Sequence, residues 1–100
     1  MKGYELSPEA AEDLQEIWVY VANDNPAAAD KLEEDIYAAC ELLAINPHVG
    51  HQRPDLTDEA VLFWLVRRQY LVIYLPGTEP LKIVRVIRPQ CRHRPANRFR

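Results

Sequence analysis

Long apolar runs are missing from this 100-residue sequence. Nothing approaches the roughly 18 consecutive apolar residues of a membrane-spanning helix. The N-terminus, Met1-Lys2-Gly3-Tyr4-Glu5, turns acidic at once and lacks the apolar core of a secretory signal. Cysteine is scarce: Cys40 and Cys91 are too few for a disulfide scaffold. Cys91 and His93 are near neighbours, and His48 and His51 share a segment, but the paired spacings of a four-ligand zinc site are absent. We therefore expect no metal, no cofactor and a reducing, cytoplasmic setting. Lysine is limited to Lys2, Lys31 and Lys82, widely scattered, a thin kit for a nuclease that must dock on the ribosome. In the last thirteen residues Phe99 is the only Phe, Tyr or Trp, so the aromatic interleaving of a single-strand binder is missing. Sequence-specific nucleic-acid recognition is not expected. No repeat and no low-complexity stretch occurs.

Acid is also missing, from one segment only. Residues 1–79 hold all fifteen acids and five bases, 5 − 15 = −10, whereas residues 80–100 hold seven bases and no acid, +7. Seven like charges in so short a stretch repel one another unless something acidic faces them, so the division points to a macromolecular partner. The alternative is a solvated tail that neutralises acidic helices at long range. The apolar share of 48% suits an ordinary globular core.

The remaining pattern places the elements. Tyr4 and Leu6 alternate with polar neighbours, a short strand within residues 1–7. Ser7 as N-cap and Pro8 at the first helical position open a helix whose apolar stripe is Leu14, Ile17, Trp18 and Val21. Asn25-Pro26 repeats the signal for a second helix striped by Ala29, Leu32, Ile36, Cys40 and Leu43, and Asn46-Pro47 stops it. The short joint makes residues 8–46 an antiparallel helical hairpin. Residues 47–60 read as a loop. Val61–Val66, Tyr70–Leu75 and Lys82–Ile87 are rich in β-branched and aromatic residues, and their short connections demand antiparallel hairpins. The expectation is one α+β domain over residues 1–100, in the order β-α-α-β-β-β. The helical hairpin packs on an antiparallel sheet whose last three strands (61–87) form a meander, and a basic tail (88–100) follows.

An ordered set of residues resembles a known family. Tyr4-Glu5-Leu6-Ser7-Pro8-Glu9-Ala10-Ala11-Glu12-Asp13-Leu14, Ile17-Trp18 and Tyr20-Val21-Ala22 look like the opening of the ParE branch of the RelE/ParE toxins. Asn25-Pro26-Ala27-Ala28-Ala29, Cys40-Glu41-Leu42-Leu43-Ala44 and Asn46-Pro47 continue the likeness, as do Phe63-Trp64, Tyr70-Leu71-Val72-Ile73-Tyr74 and Ile83-Val84-Arg85-Val86-Ile87. The resemblance implies the toxin of a type II toxin–antitoxin module, neutralised by a ParD-like antitoxin in a hetero-oligomer. It also implies a poison of DNA gyrase rather than a hydrolytic enzyme. The family usually continues after its last strand with Leu or Ile, His-Gly, a small residue and Arg-Asp. Here Ile87 is followed by Arg88-Pro89, which occupy the His and Gly positions. Two alternatives stay open: a RelE-like ribosome-dependent mRNA endoribonuclease, and a non-toxic antitoxin-binding module.

The guanidinium fork binds carboxylate and phosphate alike, so Arg67, Arg68, Arg85, Arg88, Arg92 and Arg94 are the expected charged surface for target or antitoxin. For the nuclease alternative, Arg67, Arg68 and Arg85 would clamp phosphate, with Tyr70, Tyr74 or His93 carrying the proton. No residue is assigned as catalytic in the leading reading. Val19 and Tyr20 lie off the first helix's apolar stripe, and Leu42 and Ile45 off the second's. With Trp64 they are candidates for a greasy groove that takes an antitoxin helix; the competing expectation is that loop 47–60 folds back over Leu42 and Ile45.

Overall fold

The computed structural model describes residues 3–88. Its elements are β1 (Tyr4–Leu6), α1 (Pro8–Ala22), α2 (Pro26–Ile45), β2 (Leu62–Val66), β3 (Tyr70–Leu75) and β4 (Leu81–Ile87). Both helix starts form as their sequences dictate. The Ser7 hydroxyl accepts from Ala10 N–H at 3.0 Å and Asn25 Oδ1 from Ala28 N–H at 3.1 Å, each satisfying one of the orphan amides of a first turn. All five predicted stripe residues of α2 are buried. In α1 only Ala10 and Leu14 are buried, while Ile17 and Val21 pack half-buried against the core.

The four strands lie in the order β1-β4-β3-β2. The meander is antiparallel as expected, with Val66 opposite Tyr70 and Leu71 opposite Ile87. The expectation of an antiparallel sheet is corrected at β1, which pairs with β4 in parallel, making the sheet mixed. Parallel pairing requires a long crossover, and everything between the first strand and the last supplies it. The register sets Glu5 beside Lys82, which form an ion pair at 3.3 Å.

Because β1 is only three residues long, it leaves the far half of β4 without a strand partner on that edge, while β3 pairs along the other. Side chains at the start of α1 complete that edge. The Ser7 hydroxyl donates to the Val84 carbonyl at 2.7 Å, and the Asp13 carboxylate accepts from Val86 N–H at 3.0 Å. Buried backbone polar groups need such partners.

The helices cover one face of the sheet, over a core that includes Leu14, Leu32, Ile36, Leu43, Val72, Tyr74 and Ile83. The opposite face carries a second cluster, Val61, Phe63, Leu71 and Ile73, with Leu56 of the loop packed on it. The loop adds a bridge at the outer edge of β2, where His51 and Phe63 exchange two backbone hydrogen bonds of 2.8 Å. It does not fold over Leu42 and Ile45, which remain 41% and 77% exposed.

Candidate binding surface

Strand register gathers some of the predicted arginines and separates others. Leu71 stands opposite Ile87, so the β2–β3 tip (Arg67, Arg68) and Arg88 reach the same end of the sheet. The C-terminal end of α1 reaches it too, since the Arg88 guanidinium lies 4.7 Å from the centre of the Tyr20 ring. The hydrogen bond and the charge of this contact hold Arg88 more firmly protonated than a free arginine. Arg92 and Arg94 lie outside the described residues.

Arg67 and Arg68 both have positive φ, 56° and 60°. Glycine or asparagine adopts this conformation readily, whereas other L-residues pay in crowding between Cβ and the carbonyl. Arg67 is anchored across the structure by Asp35 of α2, an ion pair of 2.6 Å. Among the described residues Arg68 has no ion-pair partner and points outward.

Arg85 has another job. Its guanidinium grips Asp13 bidentately, at 2.6 and 2.9 Å, while the same carboxylate receives Val86 N–H. Asp13 is almost enclosed, its side chain 12% exposed. The hydrogen bond that Arg85 donates to Asp13, and next the charge of that carboxylate, raise the pKa of Arg85. A β-bulge opposite Ile73/Tyr74 puts one extra residue, Val84, into β4 just before Arg85, and bulges re-aim the side chains beside them. This pair joins α1 to β4 and spends Arg85 on the fold. Sequence reasoning missed Asp13, because apolar periodicity marks the buried stripe and is blind to an acid that serves a strand 72 positions away.

The apolar candidates do not form one groove. Val19 and Tyr20 are 49% and 60% exposed at the C-terminal end of α1, and Leu42 and Ile45 are exposed at the C-terminal end of α2. In an antiparallel hairpin those ends point opposite ways. At 1.5 Å per residue the two pairs are roughly 20 Å apart along the hairpin. Trp64 is half-buried on the helix side of β2 and stacks on His51, centroids 6.4 Å apart and planes 5° from parallel.

The proton carriers named for a nuclease are poorly placed. Tyr70 and Tyr74 are 4% and 0% exposed. The Tyr74 hydroxyl donates to the Pro47 carbonyl at 2.8 Å and accepts from Gly50 N–H at 2.9 Å, and burial raises its pKa. It is a loop anchor. His93 lies outside the described residues. Among the described residues no three His, Cys, Asp or Glu side chains converge as metal ligands would, and no helix is long and apolar enough to cross a membrane. Cys40 is fully buried, and burial pushes its thiol up to about 12.

Known proteins share this arrangement. The family model described as ParE toxin of type II toxin-antitoxin system, parDE, matches residues 4–90. Among solved structures, a chain of the chromosomal ParDE TA system from P. aeruginosa is similar with a TM-score of 0.72 at 24% identity. The match covers 90% of this chain and 98% of that one. At that identity the likeness speaks for the fold. None of the curated proteins matches.

Proposed function

The chain belongs to the ParE toxin family of type II toxin–antitoxin systems, and from that premise we propose that it is held silent by a cognate ParD-like antitoxin and acts on DNA gyrase. The observation that carries the reading is the family match over residues 4–90, which includes the strand end where Arg88 sits. The geometry supports it in a specific way. Arg67, Arg68 and Arg88 share one end of the sheet with exposed Val19 and Tyr20, a cationic and apolar surface suited to an acidic macromolecule. The poison is favoured over the ribonuclease because Tyr74 and Arg85 are occupied by structural partners.

The test is a cleavage assay with purified chain, gyrase, ATP and supercoiled plasmid, with and without antitoxin. Linear DNA that accumulates only without antitoxin is the expected result. Absence of linear DNA, with antitoxin binding intact, overturns the gyrase assignment and directs attention to ribosome-bound message.

A further inference from the structure

Between α1 and α2 opens a cleft of about 500 Å³, with Gln15, Trp18, Asp30, Glu33 and Tyr37 in its wall. The Trp18 indole N–H donates to Asp30 Oδ1 at 2.9 Å, which holds the ring across the gap between the helices. Burial, and next the charge of the neighbouring Glu33, raise the pKa of Tyr37. Beside the aliphatic Leu6, Ala11 and Leu14, the lining holds two carboxylates, two aromatic rings and no basic side chain. An anion is repelled there, and an apolar occupant would strip water from the carboxylates without replacing its hydrogen bonds. A guanidinium fits both features, because it forks onto carboxylate oxygens and stacks on aromatic faces.

We propose that this cleft binds guanidinium groups and that its occupant is the arginine-rich segment 89–100 of the same chain. Charge complementarity selects it. The hairpin 8–46 holds ten acids against one base, 1 − 10 = −9, while residues 89–100 hold four arginines (Arg92, Arg94, Arg98, Arg100) and no acid. Starting position and reach permit it. The segment begins beside Arg88, which is seated on Tyr20, two positions along α1 from Trp18. At 100° per residue those two side chains leave α1 on opposite sides, a separation of about 10–12 Å. A twelve-residue segment spans up to roughly 40 Å. Docked in this way, the arginines are neutralised by the chain's own acids until a more acidic surface displaces them. The inference does not depend on gyrase being the target.

The test uses the full chain with Trp64→Phe, so that Trp18 supplies the only indole, read by its N–H resonance in NMR. Replacing Arg92, Arg94, Arg98 and Arg100 by Gln is expected to move that resonance. The same replacement made in a Glu33→Gln background is expected to move it far less. A synthetic peptide of residues 89–100, added to the arginine-free chain, restores the original position at about millimolar concentration, the effective concentration that a short tether provides. An indole that ignores the arginines, or responds equally with and without Glu33, overturns the proposal. A resonance that changes with protein concentration assigns the cleft to a second copy and overturns the intramolecular occupant.

Discussion

Replacing Tyr74 by Phe removes one oxygen atom and leaves the ring's packing intact, so its effect isolates a single polar anchor. Tyr74 is fully buried, and its hydroxyl serves the Pro47 carbonyl and Gly50 N–H at once. A net hydrogen bond contributes about 1 kcal/mol, and a buried group left unpaired costs about 1–3 kcal/mol. With two partners orphaned, both half-buried, we expect a loss of roughly 2–3 kcal/mol of unfolding free energy. In a domain of this size each kcal/mol lowers Tm by about 4–8 °C, which makes the expected fall roughly 10–20 °C. The assay is urea denaturation followed by far-UV circular dichroism, with an unchanged m-value showing that stability alone moved. A companion variant checks the geometry. A Cβ at Gly50 would lie 2.9 Å from Tyr74 Cε1 and 3.0 Å from the Phe63 carbonyl, and would touch the Tyr74 hydroxyl itself. Gly50→Ala is therefore expected to destabilise by a similar amount, and the double variant by less than the sum, since the clash eases when the hydroxyl is gone. A loss below about 0.5 kcal/mol for Tyr74→Phe, the size of an ordinary surface change, would refute the idea that this hydroxyl pins the loop.

Other consequences can be checked with modest effort. Asp13→Ala strips Arg85 of its partner and leaves Val86 N–H unpaired; we expect about 2 kcal/mol of destabilisation, with Asp13→Asn intermediate because it keeps an acceptor. Burial, and then the charges of Cys40, Glu41 and Tyr37, push the Tyr4 hydroxyl up to about 12. The folded state thus holds its proton more tightly than the unfolded chain. Stability is complete below about pH 10 and falls as pH rises toward 12, by up to 1.4 kcal/mol per pH unit for this group. Chemical unfolding at stepped alkaline pH would show the decline, and a flat profile would contradict it. In a Cys91→Ser chain, Cys40 should resist alkylation at neutral pH and react only at the rate of global unfolding. Reversing Arg68 and Arg88 to Glu should weaken antitoxin or gyrase binding by tenfold or more at low salt, with unfolding free energy changed by less than about 0.5 kcal/mol. Unchanged affinity for both partners would dismiss this end of the sheet as the contact surface.

What the sequence disclosed was local in origin. Ser7-Pro8 and Asn25-Pro26 start the helices where the capping chemistry requires, and the α2 stripe is buried at all five positions. The meander's boundaries agree to within a residue, because β-branched runs and turn residues are read over a few neighbours. What stayed hidden depends on distance along the chain. The parallel seat of β1 on β4, the grip of Asp13 on Arg85 and the anchoring of the loop by Tyr74 each join segments that only tertiary packing brings together. Off-stripe position correctly marked Val19, Tyr20, Leu42 and Ile45 as exposed. It carried no information about which end of the hairpin each pair occupies, and so one of the two readings joined into a groove residues that stand at opposite ends of the hairpin.

The arginines show why a charge count needs a structure before it becomes a surface. Arg85 and Arg67 are tied to Asp13 and Asp35, so removing either also loosens the link between a helix and the sheet. A loss of binding in those variants would not separate contact from stability. Arg68 and Arg88 are different in kind. Arg88 rests on an exposed ring. Arg68 holds a strained backbone conformation and has no ion-pair partner among the described residues. Asparagine or glycine would relieve such a turn at no loss to the core. A residue that keeps local strain without an ion pair to offset it is explained when its side chain is needed elsewhere. Swapping Arg68 for Gly should therefore leave the fold as stable or more so while weakening the partner's grip, and this opposition separates a contact residue from a structural one.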